Sequence, residues 1–200
     1  MKTQFIKNAT HSLLLSTALL ITTNASAVNY LSDRIYAGIG LTQSDLQLND
    51  KNVAAVNGLG GAANFENNGF GMDVFAGFKF DDHLALEMGY VDLGSANLDD
   101  GTTVQEFLIV DSVYLDAVLR HSVSSRIDVF AKVGISAWSV ENVVTNESAD
   151  GEGVHYGAGF DVNLYGDKAR AMRIKWDHHE FDNLIVESTD SVSVSMLFNF

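Results

Sequence analysis

The 200-residue chain has no cysteine and no proline. Without cysteine there is no disulfide framework, no zinc–thiolate site and no cysteine nucleophile. Without proline, nothing in the chain interrupts a long hydrogen-bonded ladder. Basic residues are scarce: twelve lysines and arginines face 26 acidic residues, a formal net charge of −14. That sign excludes nucleic acid as a partner, because phosphate contacts need a basic face. No long apolar run occurs after residue 27, which excludes a bundle of membrane-spanning helices. Seventeen glycines and 46% hydrophobic residues exclude a disordered chain.

The first 27 residues read as a secretory signal peptide. Lys2 and Lys7 form a basic start, Leu13 to Ile21 a short apolar run, and Ala25-Ser26-Ala27 a small-x-small cleavage site. The apolar run falls short of the ~20 residues a spanning helix needs. Residues 28–200 are then the mature domain.

What remains is alternation. Eight runs place apolar residues on one parity, the signature of strands with two distinct faces. They lie near Arg34–Thr42, Gly69–Phe80, His83–Asp92, Phe107–Arg120, Ile127–Val140, Val154–Leu164, Ala171–His178 and Ser191–Phe200. Connections alternate. Asp81-Asp82, His121 to Arg126 and Tyr165 to Arg170 are tight. Thr42 to Asn68, Leu93 to Glu106, Glu141 to Gly153 and His179 to Asp190 are long and polar. Long loops at one end and short turns at the other are expected of an outer-membrane barrel. The Gly/Asn-rich stretch 58–71 reads as loop, since it has no Lys-Ser/Thr partner of a phosphate cradle.

Alternation alone does not say whether the apolar parity faces a core, as in a soluble lipocalin-like barrel, or lipid. Aromatics choose lipid. On the apolar parity, Phe70, Tyr90, Tyr156 and Trp176 lie toward the long-loop end, and Phe78, Phe80, Phe198 and Phe200 toward the short-turn end. Two such girdles suit the two interfaces of a bilayer. The opposite parity carries Asp73, Glu87, Asp116, Asp128, Asp161 and Asp177 beside Arg34, Lys79, Arg120, Lys132, Arg173 and Lys175. Equal numbers of acids and bases are expected to pair inside, where a lone charge is costly. The expected fold is all-β: an eight-stranded antiparallel transmembrane up-and-down barrel, its edges closed by pairing the first and last runs.

The same residues carry a resemblance. Leu86-Glu87-Met88-Gly89-Tyr90-Val91-Asp92-Leu93-Gly94 resembles the third-strand motif of OmpA-like outer-membrane barrels. Tyr36-Ala37-Gly38-Ile39-Gly40 resembles their first strand, Gly157 through Trp176 their sixth and seventh, and Ser195 to Phe200 their last. The resemblance implies a lumen closed by ion pairs, with Glu87 on Arg173 and Asp161 on Lys132 or another lumen base. It implies the outer membrane as location, lipid and lipopolysaccharide as surroundings, and the barrel-assembly machinery as a partner of the C-terminal strand. The peptidoglycan-binding domain of full OmpA proteins has no counterpart before Phe200, so cell-wall anchoring is not carried over.

Candidate chemistry is sparse. An eight-stranded barrel is filled by its own side chains, which favours a closed lumen over a narrow or gated porin-like channel. Acidic residues crowd the long connections: Asp92, Asp99, Asp100 and Glu106; Glu141, Glu147, Asp150 and Glu152; Glu180, Asp182, Glu187 and Asp190. They read as a solvated surface open to an extracellular ligand. Divalent-cation bridging to lipopolysaccharide is the functional alternative, although no Asp-x-Asp-x-Asp-Gly spacing occurs. His155 and His179 are weak zinc candidates, expected to be neighbours on the inner face. A lipid A-modifying hydrolase using these histidines is disfavoured, because no His-x-Ser follows them. No catalytic residue, resident metal or cofactor is expected. The sequence therefore reads as a non-enzymatic envelope protein with a structural or surface-interaction role.

Overall fold

The computed structural model describes residues 34–48, 64–66, 68–99, 104–142, 147–164, 169–181 and 186–200. The expected signal peptide lies outside them. Nine strand segments follow in order: β1 (Ile35–Leu48), β2 (Asn64–Glu66), β3 (Asn68–Lys79), β4 (Leu84–Asp99), β5 (Val104–Ser122), β6 (Ile127–Asn142), β7 (Glu147–Asn163), β8 (Arg170–Glu180) and β9 (Val186–Asn199).

All pairings are antiparallel. Each segment from β3 onward pairs with the next, and β1 joins β3 on one side and β9 on the other. β2 lies beyond β3 on the same neighbour, β4. The wall is therefore a closed barrel of eight strands, one of them described as the two segments β2 and β3. Closure leaves no unpaired edge to face hydrocarbon.

Register fixes the shape. Starting at Tyr36, the paired residues run Gly77, Glu87, Asp116, Gly134, His155, His179, Thr189 and back to β1 at Leu46, ten residues further on. With ~3.3 Å per residue and ~4.8 Å between strands, that stagger tilts the strands by about 40° from the barrel axis.

The faces divide by parity as the alternation requires. Ile39, Leu41, Phe70, Met72, Leu119, Val133, Ile135 and Val192 project outward and exposed, while Tyr36, Phe75, Tyr114, Phe130 and the charged side chains are buried inside. An apolar exterior around a charged interior inverts the arrangement of a soluble barrel. It is stable only where the surrounding solvent is itself apolar.

The short turns at 81–82 and 121–126 match their expected places, whereas 165–168 of the third lie outside the described residues. Phe80 N–H donates to the Leu84 carbonyl (2.9 Å), and Val123 N–H to that of Ile127 (2.9 Å). The opposite end differs from expectation. The expected connection 93–106 is mostly ladder, with strand to Asp99 and again from Val104. The connection 141–153 is mostly ladder too, as β6 reaches Asn142 and β7 begins at Glu147. Strand also takes up 64–66 and 68–71 of the stretch read as loop. Polar residues above the bilayer lose the apolar alternation that marks a strand, but their backbones still pair. Asp92, at the start of one extension, stands opposite Asp111, and the register then shifts before Ser95. Gly94 takes a positive φ of 78° there, and its N–H donates to Asp92 Oδ1 (2.8 Å). Only glycine adopts that conformation without strain.

Candidate functional site

Eight strands of this stagger leave an interior just wide enough for side chains. In the lower and middle lumen those side chains are charged. Arg173, on β8, is fully buried. Its Nε and Nη2 donate to the two carboxylate oxygens of Asp161 across the β7–β8 ladder, at 2.8 and 3.0 Å. Its Nη1 donates to Glu87 Oε2, on β4 across the lumen, at 2.5 Å. Tyr36 Oη donates to the same oxygen (2.9 Å). The planar guanidinium thus uses its fork on one carboxylate and its remaining arm on a second.

Two lysines complete the network. Lys132 Nζ lies 3.0 Å from Asp177, 3.3 Å from Asp116 and 3.8 Å from Glu87. Lys175 Nζ lies 2.7 Å from Asp177 and 3.2 Å from Asp73. The expected Glu87–Arg173 contact is present. Asp161 takes Arg173 and, at 3.1 Å, Arg120 rather than Lys132. The reason is register. Arg173 is Asp161's cross-strand partner on β8, whereas Lys132 sits opposite Gly157, four positions further along β7.

Lys79 lies at the short-turn rim, where Nζ donates to Asn199 Oδ1 (2.6 Å). That rim opens into a polar vestibule of about 630 Å³, lined by Lys79, Arg120, Asp128, Asn163 and Asn199 among others. Arg34, expected among the inner bases, is exposed at the foot of β1.

Sequence reasoning passed over the aromatics between these charges. The Arg173 guanidinium lies 4.3 Å from the Phe130 ring centroid and 4.8 Å from that of Phe75; Lys132 Nζ lies 4.4 Å from that of Tyr114. Ring faces here supply attraction that water would otherwise give. The available signal was parity, since Phe75 falls in step with Gly71 and Gly77, Tyr114 with Ser112 and Asp116, and Phe130 with Lys132 and Gly134, rather than with the outward apolar set.

On the exterior, Phe70, Phe80, Tyr156, Trp176, Phe198 and Phe200 project outward and exposed. Phe78 and Tyr90 point the same way but are half-covered. Phe78 meets Phe80 edge-on at 5.4 Å, and Tyr156 meets Trp176 edge-on at 6.0 Å.

His155 and His179 are buried neighbours on β7 and β8, their rings stacked with centroids 4.2 Å apart. Stacked rings point their in-plane lone pairs along separate planes, which is poor geometry for one shared ion. Among the described residues no group of three or more His, Asp or Glu side chains is arranged to hold a metal ion. His178 faces outward, its Nδ1 2.8 Å from Asp190 Oδ1. Among the described residues no serine hydroxyl bonds to His155, His178 or His179.

The model of the OmpA-like transmembrane domain family matches residues 31–175. No curated protein matches the sequence. Among solved structures, Neisserial surface protein A is similar at 9% identity with a TM-score of 0.59, over 83% of this chain and 97% of that one. The attachment invasion locus protein Ail of Yersinia pestis is similar at 12% identity with a TM-score of 0.52, over 84% of this chain and 99% of that one. A second structure of Ail, in complex with the heparin analogue sucrose octasulfate, gives the same identity and score.

Proposed function

The chain belongs to the family of OmpA-like transmembrane domains and is an outer-membrane β-barrel; from that premise we propose a structural and surface-interaction role in the bacterial envelope. Fold alone does not assign a role, so the reading rests on where the chemistry lies. One observation carries it: the paired wall continues well past the apolar belt. Beyond Ala137↔Glu152 the β6–β7 ladder runs five further pairs to Asn142↔Glu147. Beyond Asp92↔Asp111 the β4–β5 ladder likewise adds five, ending at Asp99↔Val104. Two paired, acidic extensions of the wall beyond the apolar belt offer a binding surface and are not a requirement of the barrel.

The lumen charges serve closure in this reading. Asp73, Glu87, Asp116, Asp161 and Asp177 with Lys132, Arg173 and Lys175 fill the interior and block solute passage, and Lys79 guards the lower rim. The outward aromatics anchor the barrel at the two lipid interfaces. The outer-membrane lipids and lipopolysaccharide are the immediate partners, and β9 is the segment offered to the barrel-assembly machinery.

The ligand chemistry follows from charge. Ail is seen with a sulfated heparin analogue. Here the projecting hairpins carry Asp92, Asp111, Glu141, Asp150 and Glu152, which repel such a polyanion. Contact with anionic lipopolysaccharide would run through divalent cations bridging carboxylate to phosphate.

A gated channel is the second reading, kept because a network of charged side chains runs through the lower half of the lumen. A lipid A-modifying enzyme has less support: among the described residues no serine hydroxyl bonds to the outward His178–Asp190 pair. The deciding experiment is co-sedimentation of the refolded protein with purified lipopolysaccharide, with and without EDTA. Binding that EDTA abolishes supports the proposal. Binding indifferent to the chelator removes the cation bridge, and no binding to lipopolysaccharide or to intact cells removes the surface role.

A further inference from the structure

Below the ion network the barrel opens into the vestibule of about 630 Å³ at its short-turn end. The ends of five strands meet there. Lys79 closes β3, Arg120 and Ser122 lie at the foot of β5, Asp128 at the foot of β6, Asn163 closes β7 and Asn199 closes β9.

Arg120 is held from one side only. Its side chain is 9% exposed. Nη2 donates to Asp161 Oδ2 at 3.1 Å and lies 3.9 Å from Asp128 Oδ2, and the guanidinium sits 5.6 Å from the Tyr36 ring centroid. These contacts fix the plane of the group. Nη1 has no hydrogen-bond partner among the described residues, and a buried donor left bare costs its full desolvation. The carboxylate nearest to it is already in use. Asp161 also takes Nε and Nη2 of Arg173, so one carboxylate serves two guanidiniums.

Both kinds of hydrogen-bonding group stand around that bare arm. Lys79 Nζ donates to Asn199 Oδ1 at 2.6 Å and brings a second positive charge. Asp128 brings a negative one. Ser122 donates to its Oδ1, and Asn163 Nδ2 to its Oδ2 at 3.4 Å. The second acid on the lining, Asp82, is exposed at the lip, and Arg34 and Arg126 are exposed just before β1 and β6.

We propose that the vestibule binds a protonated oxyanion of the phosphate class, entering from the periplasmic side. Arg120 Nη1 donates to one of its oxygens in a charge-assisted hydrogen bond, and the Lys79 ammonium offsets its charge. Asp128 selects the anion. An ionised carboxylate can only accept. It repels an anion that has no proton and accepts a hydrogen bond from one that carries a P–OH. Inorganic phosphate keeps at least one P–OH at neutral pH. Sulfate and the phosphodiester of a lipid headgroup keep none. The volume lies within the range of small-molecule sites. The Arg173–Glu87–Asp161 layer closes the vestibule above, so the anion is held and not passed through. The inference goes beyond the envelope role: it gives the periplasmic mouth a ligand of its own.

The test uses the full chain in phosphatidylcholine nanodiscs and phosphate-free buffer, labelled at arginine and asparagine for NMR. Inorganic phosphate should shift the Arg120 guanidinium and Asn163 side-chain resonances saturably. Sulfate at matched ionic strength should bind about tenfold more weakly or less. No response to phosphate, or an equal response to sulfate, overturns the proposal. Asp128→Asn removes the repelling charge, and sulfate should then bind about as well as phosphate. A preference for phosphate that survives this change means that Asp128 does not read the proton, and the proposal falls. Phosphatidylglycerol discs test the lipid as source. Arg120 resonances already shifted there, with no further response to inorganic phosphate, would make a headgroup the occupant and overturn the proposal as well.

Discussion

Arg173 on β8 and Glu87 on β4 meet across the full width of the lumen, Nη1 to Oε2 at 2.5 Å, although they are 86 residues apart in sequence. The same guanidinium holds both oxygens of Asp161 beside it. Removing Arg173 therefore takes the forked partner from Asp161, which keeps Arg120 at 3.1 Å, and leaves Glu87 with Lys132 at 3.8 Å and the Tyr36 hydroxyl at 2.9 Å. Breaking a buried pair from one side costs about 3–5 kcal/mol. Arg173→Met should lower the urea unfolding midpoint accordingly. Arg173→Lys should recover only part of it, because an ammonium reaches Asp161 or Glu87 as a point charge and cannot fork. Arg173→Met combined with Glu87→Leu and Asp161→Asn should lie closer to wild type than Arg173→Met alone. If Arg173→Met unfolds at the wild-type midpoint, the network contributes nothing to the fold.

Breaking the ionic layer should not by itself make a pore. The unsubstituted barrel is expected to show no steady single-channel steps in planar bilayers, since eight strands leave no aqueous channel. Glu87→Ala opens space beside Arg173 but leaves Leu46, Leu93, Val110 and Phe181 in place above. It should therefore raise conductance far less than Glu87→Ala together with Phe181→Ala. Large openings in Glu87→Ala alone would mean that the ionic layer is the sole barrier, and would favour the gated-channel reading.

How much of this was legible in the sequence differs from one level to the next. The wall was readable because lipid and lumen impose opposite chemistries on alternate residues: Val129, Ala131, Val133 and Ile135 outside, Phe130 and Lys132 inside. The stagger was not, because parity repeats every two residues and cannot distinguish one even register shift from the next. That is why Lys132 was a possible partner for Asp161 until the ladder put Arg173 there. The hairpin extensions were hidden for another reason. At the top of β7, Ser148, Ala149 and Asp150 are exposed on both faces, so they pair with Glu141, Val140 and Ser139 without an apolar alternation of their own to betray it.

The direction of the apolar face can be tested at one residue. Val133 is 58% exposed on the outer wall, next in sequence to the buried Lys132. In the bilayer, Val133→Arg should cost about 2–4 kcal/mol near the midplane, falling toward zero for the same change near the interfaces. On a water-facing surface the same substitution would stay within about 0.5 kcal/mol. Reversible urea unfolding in lipid vesicles measures the difference, and a neutral Val133→Arg would mean that lipid does not contact this wall.

The short turn after β3 has its own pH signature. Asp81 Oδ1 accepts hydrogen bonds from the backbone N–H groups of His83 (2.7 Å) and Leu84 (2.8 Å), fixing the turn before β4. Those two donors hold its carboxyl below the usual carboxylate range. A carboxylate depressed in the folded state stabilises the fold above its unfolded pKa, about 3.9. The contribution is lost as pH falls through the lower folded value, where the protonated acid is a weaker acceptor. The unfolding midpoint of Asp81→Ala should therefore sit below wild type at pH 7, and the gap should narrow as the pH is taken well under 4. Because the side chain is exposed, the gap should be small. A gap that is constant from pH 7 to pH 3 would show that the turn draws on the geometry of residue 81 and not on its charge.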